Sequence, residues 1–140
     1  MLAAGADGAR VGTRFLAAAE ADVHRVYREQ LFSAGPDDTV VTSAYSVLWP
    51  PPDAPHRVLR TAVEAADRFT GDIVGEAEVG GQRLPLPKWA VAVPTTAFSG
   101  EVAAMALYAG QGVGAVERVQ PAADIVEELV SGAEQLLARW

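Results

Sequence analysis

The glycine-rich stretch "GADGARVGTRF" is the part of the chain best suited to bind a phosphate group. Gly12 and Thr13 stand at the end of a predicted short buried strand over residues 9–12, and glycine lets backbone N–H groups come close to a ligand. Thr13 adds a hydroxyl donor, and Arg10 or Arg14 adds a positive charge. A glycine followed by a polar residue is also common in ordinary turns, so the pattern alone leaves both interpretations open.

A second glycine-rich segment, "ALYAGQGVGAV", occupies residues 106–116. Glycines around Gln111 allow the backbone to lie against a flat ligand while the side-chain amide forms hydrogen bonds in the ligand plane. A helix end followed by a linker explains the same residues and is the simpler interpretation. The segment is therefore a candidate binding loop of second rank.

The side chains of this chain give little support for catalysis or metal binding. The two histidines, His24 and His56, lie on or at the start of predicted helices and lack the spacing of metal ligands. The sequence contains no cysteine, no HExxH, no GxSxG, no Walker lysine loop and no complete GxGxxG. We therefore predict no catalytic residue and no metal site in this chain.

Composition places the chain among soluble globular proteins of one domain. It has 140 residues, half of them hydrophobic, and a formal net charge of -7. The negative charge argues against nucleic acid or an anionic membrane as partners. The sequence does not resemble a signal peptide at its start, and no stretch reaches the roughly 18 apolar residues of a membrane-spanning helix. We expect a cytoplasmic location.

Four helices are predicted to position these segments. Apolar residues recur at helical spacing over about 22–34, 56–68 and from near Pro121 onwards. Ser99 is a plausible cap for a helix over 100–109. The apolar stripe of the last helix must be covered by another part of a protein.

Strands are predicted in two further regions. Residues 38–45, "DTVVTSAY", are rich in β-branched side chains and are followed by a proline-rich loop. The segment "DIVGEAEVGGQRLPL", residues 72–86, is typical of a hairpin in which Gly80 and Gly81 adopt positive φ angles. The chain is thus predicted to be α/β.

Three motifs in order, "GADGARVGTRFLAA", "WPPPDAPHRVLR" and "AAMALYAGQGVGAV", make the chain resemble the C-terminal part of the nitronate monooxygenase family, formerly called 2-nitropropane dioxygenases. Members of that family are FMN-dependent (β/α)8 barrels that oxidise alkyl nitronates with molecular oxygen. The resemblance runs from Met1 to about Leu137. It implies a C-terminal fragment of an FMN-binding TIM barrel, made of the last strand, the α/β subdomain that follows it and a C-terminal helix.

The resemblance also implies roles for two groups of residues. It assigns the FMN phosphate to the residues that match the end of the eighth barrel strand, Arg10, Val11, Gly12 and Thr13. It assigns the flavin or substrate side of the barrel mouth to Gly110, Gln111 and Gly112. The family commonly has glutamine where this chain has Arg10, although a cation beside a phosphate is compatible with binding.

The resemblance covers only part of a barrel, which takes about 250 residues. It divides the chain into the last strand and phosphate-binding turn (1–20), an α/β subdomain with the proline-rich loop and hairpin (21–100), and closing helices (101–140). Neither His24 nor His56 falls at the position of the family's catalytic histidine. We therefore expect a truncated product or fragment that lacks the catalytic base and binds FMN weakly or not at all. In isolation it is expected to be marginally stable, to self-associate or to pair with the missing barrel half.

The activity implied by the resemblance is FMN-dependent oxidation of a small nitronate or nitroalkane with oxygen. Two alternatives stay open. One is a flavin-dependent enoyl-acyl-carrier-protein reductase, which would consume a nicotinamide cofactor instead of oxygen. The other is a non-catalytic binding or interaction module, in which no flavin is ever bound.

Overall fold

The structure is a computed structural model that describes residues 5–52 and 54–139, and it shows a mixed α/β chain. The helices are α1 (Arg25–Ser33), α2 (Arg60–Arg68) and α3 (Ala122–Leu137). The strands are β1 (Thr39–Thr42), β2 (His56–Leu59), β3 (Ile73–Val79), β4 (Gln82–Pro87) and β5 (Phe98–Gly100). The first four residues of the predicted 1–20 segment lie outside the described residues.

Two of the predicted helices are confirmed by local capping and burial. Helix α1 buries Tyr27 and Leu31, which are four residues apart and so share one face. His24 precedes this helix, and its Nδ1 accepts a hydrogen bond from the N–H of Val26 at 3.2 Å. Helix α3 begins directly after Pro121, as predicted.

The first sheet consists of β1 and β2 in antiparallel pairing, with Thr39 opposite Leu59. The N–H of Leu59 also donates to the carbonyl of Leu107 at 2.8 Å, on the other edge of β2. The segment around Leu107 is therefore extended and paired, and the predicted helix over 100–109 is wrong. The predicted helix over 56–68 is wrong over its first four residues, because they form β2 and only α2 is helical.

The predicted hairpin is confirmed in the second sheet, whose strand order is β4-β3-β5. Gly80 and Gly81 connect β3 to β4 with φ angles of 59° and 78°. Strand β5 is paired with β3, and the two backbones are so close that a Cβ on Gly75 would lie 1.9 Å from the carbonyl oxygen of Ser99. Ser99 thus belongs to a strand and does not cap a helix.

The predicted buried strand over residues 9–12 is wrong. This segment is irregular, Val11 is 42% exposed, and the chain continues into a 3-10 helix at Thr13–Ala17. A strand needs a neighbour to take its backbone hydrogen bonds, and none of the described strands lies beside this segment. The first pairing occurs later, where the N–H of Ala19 donates to the carbonyl of Gln120 at 2.9 Å.

The core is built from two adjoining clusters of buried side chains. The larger one joins α1, β2 and the extended segment through residues that include Tyr27, Leu31, Tyr45, Val58 and Leu107. The second lies under the three-stranded sheet and includes Ala66, Val74, Leu86, Val102 and Met105. Trp89 is half-buried and packs against both clusters. The proposed division at residues 20 and 100 stays a prediction.

The apolar stripe of α3 is largely uncovered by the rest of the described chain. Ile125 in its second turn is fully buried, whereas Val130 is 52% and Leu136 is 60% exposed. The helix is held at its N-terminal half, where Arg14 and Arg118 form ion pairs with Glu128 at 3.1 and 2.6 Å. No helix in the described ranges has the length and apolar character needed to cross a membrane.

The contact between β3 and β5 generates a stability prediction. We expect Gly75→Ala to lower the free energy of unfolding by about 2 kcal/mol or more, because the new methyl group overlaps backbone and cannot be accommodated by a rotamer change. Gly132→Ala in α3 is the control, since its Cβ would meet nothing within 4 Å and alanine favours helix. Urea unfolding followed by circular dichroism measures both, and equal midpoints for Gly75→Ala and the unsubstituted chain would contradict the prediction.

Candidate functional site

Both glycine-rich segments line one cavity of about 320 Å³. One wall comes from the start of the 3-10 helix and the other from the extended segment that pairs with β2. The lining residues are Gly12, Thr13, Leu16, Tyr27, Arg57, Val93, Tyr108, Ala109 and Gly110. The cavity therefore unites positions that are about a hundred residues apart in the sequence.

The side chain of Thr13 joins the two walls. The hydroxyl oxygen of Thr13 accepts a hydrogen bond from the N–H of Gly110 at 2.9 Å. A Cβ on Gly110 would lie 3.4 Å from the same oxygen, so the two segments are in contact. Three of the predicted site residues, Gly12, Thr13 and Gly110, are thus brought together.

The other four predicted site residues do not line this cavity. Arg10 and Val11 are exposed on the irregular segment that leads to it. Gln111 and Gly112 are exposed at the start of a 3-10 helix, Gln111–Ala115, directly beyond Gly110. They lie at the ends of the two cavity walls and not within it.

Arg14, one of the two arginines expected to supply a charge, is engaged elsewhere. Its Nη2 donates to the side-chain oxygen of Gln120 at 2.8 Å and to Glu128 at 3.1 Å, and its side chain is only 13% exposed. Hydrogen bonding with Gln120 and with Arg14 holds the pKa of the Glu128 carboxyl below its usual value. Arg14 therefore fastens α3 to the 3-10 helix instead of facing the cavity.

Arg57 is a cation at the cavity that the sequence reasoning missed. It lies in β2, and its Nη1 donates to the hydroxyl oxygen of Thr39 at 3.1 Å. Among the described residues, no carboxylate oxygen lies within 4.0 Å of its guanidinium. The only signal in the sequence was its place in the motif "WPPPDAPHRVLR".

Two tyrosines form a fixed wall of the cavity. The hydroxyl of Tyr27 donates to the carbonyl oxygen of Tyr108, and the hydroxyl of Tyr108 donates to the carbonyl oxygen of Val91 at 3.0 Å. Burial raises the pKa of both phenols above the ordinary value of a tyrosine. Both therefore stay neutral at physiological pH and act as hydrogen-bonded supports.

Neither histidine lines the cavity. His24 is used at the start of α1, as described above. His56 does not cap a helix but lies edge-on between the rings of Trp49 and Tyr108, at centroid distances of 5.2 and 5.4 Å. Within residues 5–52 and 54–139, no group of three metal-ligating side chains is found.

The described lining offers hydrogen-bond donors beside an apolar surface. The lining residues provide backbone N–H groups, the hydroxyls of Thr13 and two tyrosines, one guanidinium and an apolar wall, and none of them is a carboxylate or a histidine. Such a lining suits an anionic group carried by a larger and less polar body. The fold and the site thus define an α/β chain with an anion-compatible ligand cavity.

Comparison with known proteins identifies the family of the chain. The family model for nitronate monooxygenase matches residues 1–132, and the chain belongs to that family. The chain is 35% identical over 143 residues to nitronate monooxygenase npaC of Metarhizium robertsii, covering 97% of this chain and 38% of the relative. The family predicted from the three sequence motifs is confirmed.

The chain also matches only part of a longer protein of known structure. The FabK (M276A) mutant from Thermotoga maritima superposes with a TM-score of 0.59 at 26% sequence identity, covering 99% of this chain and 37% of that chain. The chain therefore spans less than two fifths of the length of each of these proteins.

The bond between Thr13 and Gly110 generates a prediction for the site. We expect Thr13→Val to lower the free energy of unfolding by about 1 kcal/mol and to speed amide exchange at Gly110, because the N–H loses its acceptor. Thr13→Ser keeps the hydroxyl and is the matched control. Hydrogen exchange followed by NMR decides, and equal protection of Gly110 in both variants would show that this bond does not hold the walls together.

Proposed function

We propose that this chain provides the phosphate-binding part of the FMN site of an enzyme that oxidises small nitronates or nitroalkanes with oxygen. The observation that carries the proposal is the junction of Gly12 and Thr13 with Gly110 around a cavity that also contains Arg57. Membership of the nitronate monooxygenase family supports oxidoreductase function. The 35% identical relative also bears the name of that activity, which favours it over the enoyl-acyl-carrier-protein reductase alternative.

The lining residues fit a flavin phosphate by the hydrogen-bond donors they leave available. No described residue accepts a hydrogen bond from the N–H of Gly12 or of Thr13. We propose that these donors, with the Thr13 hydroxyl, hold the phosphate oxygens. The apolar wall formed by Leu16, Val93 and Tyr108 suits the less polar part of the cofactor.

Gly12 leaves room for the close approach of a ligand to the backbone. Its φ of -112° is accessible to any residue, and a Cβ there would meet nothing within 4 Å. Neither backbone conformation nor packing within the described chain therefore requires glycine at this position. A ligand lying against the backbone gives a physical reason for it.

The exposed candidates extend the same site in our proposal. Arg10 and Val11 lie just before Gly12, where they reach a phosphate from outside the cavity. Gln111 and Gly112 lie just after Gly110 and are proposed to face the flavin or the substrate. Each pair continues one of the two cavity walls.

When bound, FMN supplies the redox chemistry of the oxidation. The residues of this chain anchor and orient the cofactor, and its two neutral tyrosines keep one wall in place. We propose that the catalytic base comes from outside this chain. The absence of carboxylates and histidines from the described lining supports that division of roles.

We further propose that this chain is the C-terminal part of a barrel and that its location is cytoplasmic. The exposed stripe of α3, which includes Val126, Val130 and Leu136, needs a cover. The length of the relatives outside the match favours the remaining barrel segment as that cover over a second copy of the chain. Self-association is the expected behaviour when that segment is missing.

Gly12→Ala tests the phosphate role without disturbing the fold. With the full chain labelled by 15N, we expect FMN at millimolar concentration to shift the amide signals of Gly12, Thr13 and Gly110, whereas riboflavin, which lacks the phosphate, does not. Gly12→Ala should weaken FMN binding about tenfold, equal to about 1.4 kcal/mol, because the methyl group occupies the approach path. Its unfolding midpoint should not fall.

Gly8→Ala is the matched control, because Gly8 is exposed and its Cβ would also meet nothing within 4 Å. It should bind FMN as the unsubstituted chain does. Equal binding by Gly12→Ala and Gly8→Ala would remove Gly12 from the site, and shifts of equal size with riboflavin would argue against a phosphate subsite.

A further inference from the structure

We infer that Arg57 is the cation that binds the anionic group in this cavity, as the counter-ion of a phosphate monoester dianion; the identification of that ester as FMN rests on the proposed function. Arg57 lies in the motif "WPPPDAPHRVLR", but the predicted site residues do not include it. The inference rests on the cavity lining, on the hydrogen bonds of Arg14 and Arg57 and on the pairing of β2 along both edges.

The two arginines nearest to Gly12 in sequence are poorly placed for this role. Arg10 is exposed and does not line the cavity. Arg14 lies beside the cavity wall, but its guanidinium is bound to Gln120 and Glu128 and is largely buried. Moving it towards the cavity would give up these hydrogen bonds and leave its own largely buried charge less well paired, which costs free energy.

Arg14 and Arg57 both keep N–H donors without a described partner, but of the two only Arg57 lines the cavity. A guanidinium carries five N–H donors in a planar fork that matches two oxygens of a phosphate. Among the described residues, the hydroxyl oxygen of Thr39 is the one acceptor of a hydrogen bond from the Arg57 side chain. A half-buried cation with no described carboxylate partner is stabilised when an anion enters the cavity.

The backbone holds Arg57 in register with the rest of the lining. Its carbonyl oxygen accepts a hydrogen bond from the N–H of Ala109 at 3.1 Å, one residue before Gly110. Gly110 in turn is bonded to Thr13. Two hydrogen bonds on adjacent residues, Ala109 and Gly110, thus link the backbone of Arg57 to the side chain of Thr13, so that the cation and this wall are organised before a ligand arrives.

The chain's overall charge makes this local cation more informative. With a net charge of -7, the molecule as a whole repels a dianion. The described cavity lining contains one arginine and no carboxylate, so its sign is opposite to that of the chain. This local reversal of charge points to an anionic ligand.

The test uses the full 15N-labelled chain with three probes: FMN, riboflavin and inorganic phosphate. For Arg57→Gln, we expect binding of FMN and of phosphate to weaken at least tenfold, and the preference for FMN over riboflavin to disappear. Arg83→Gln, on the exposed β4, changes the net charge equally and should leave binding unchanged. Arg57→Lys keeps the charge but loses the fork, so it should retain the preference at reduced affinity.

The outcomes separate this inference from the proposed function. If FMN does not bind but inorganic phosphate shifts the amides of Gly12, Thr13 and Gly110 only when Arg57 is present, the anion site stands and the FMN function fails. If Arg57→Gln binds FMN and phosphate normally, the inference is wrong and the FMN proposal survives. If neither ligand shifts these amides in the unsubstituted chain, the inference is also wrong. Should Arg57→Gln unfold, Arg57→Lys decides, because unchanged affinity in that variant overturns the role of the guanidinium fork.

Discussion

The hydrogen bond between the N–H of Gly110 and the hydroxyl oxygen of Thr13 connects the beginning of the described chain to the segment that pairs with β2. The glycine-rich stretch near Gly12 has no described strand beside it, and this bond, with the packing of Leu16 on the core, positions it at the cavity. With this bond, the stretch becomes one wall of a site whose opposite wall is anchored in the core. The candidate function depends on this junction.

The second constraint is the double pairing of β2. One edge of this strand is bonded to β1 and the other to the extended segment around Leu107, so β2 carries the larger core cluster and places Arg57 at the cavity. Backbone pairing is stiff compared with side-chain contacts. The position of the cation is therefore set by a strand that is paired along both edges, while the exposed residues Gln111 and Gly112 lie beyond it.

The uncovered stripe of α3 agrees with the short coverage of the longer relatives. A helix with Val130 and Leu136 half exposed gains little from burial by itself and is held mainly through Ile125 and the ion pairs of Glu128. The nitronate monooxygenase relative extends over more than twice this length. Such a helix is suited to pack against a further segment of a larger α/β protein.

Local signals in the sequence were sufficient to predict several elements of the fold. The 3.6-residue periodicity predicted α1 and α3, the Gly80–Gly81 pair predicted the hairpin, and the ordered motifs predicted the family. Where local signals compete with backbone pairing, contacts between distant segments determine the result. Residues around Leu107 are extended because β2 offers them hydrogen-bond partners, whereas residues 9–12 form no strand because no described strand lies beside them. The tertiary structure also places Arg57, and not Arg10 or Arg14, in the cavity lining. The position of a charged side chain and its hydrogen-bond partners depend on contacts between segments that are far apart in the chain, which local sequence signals do not contain.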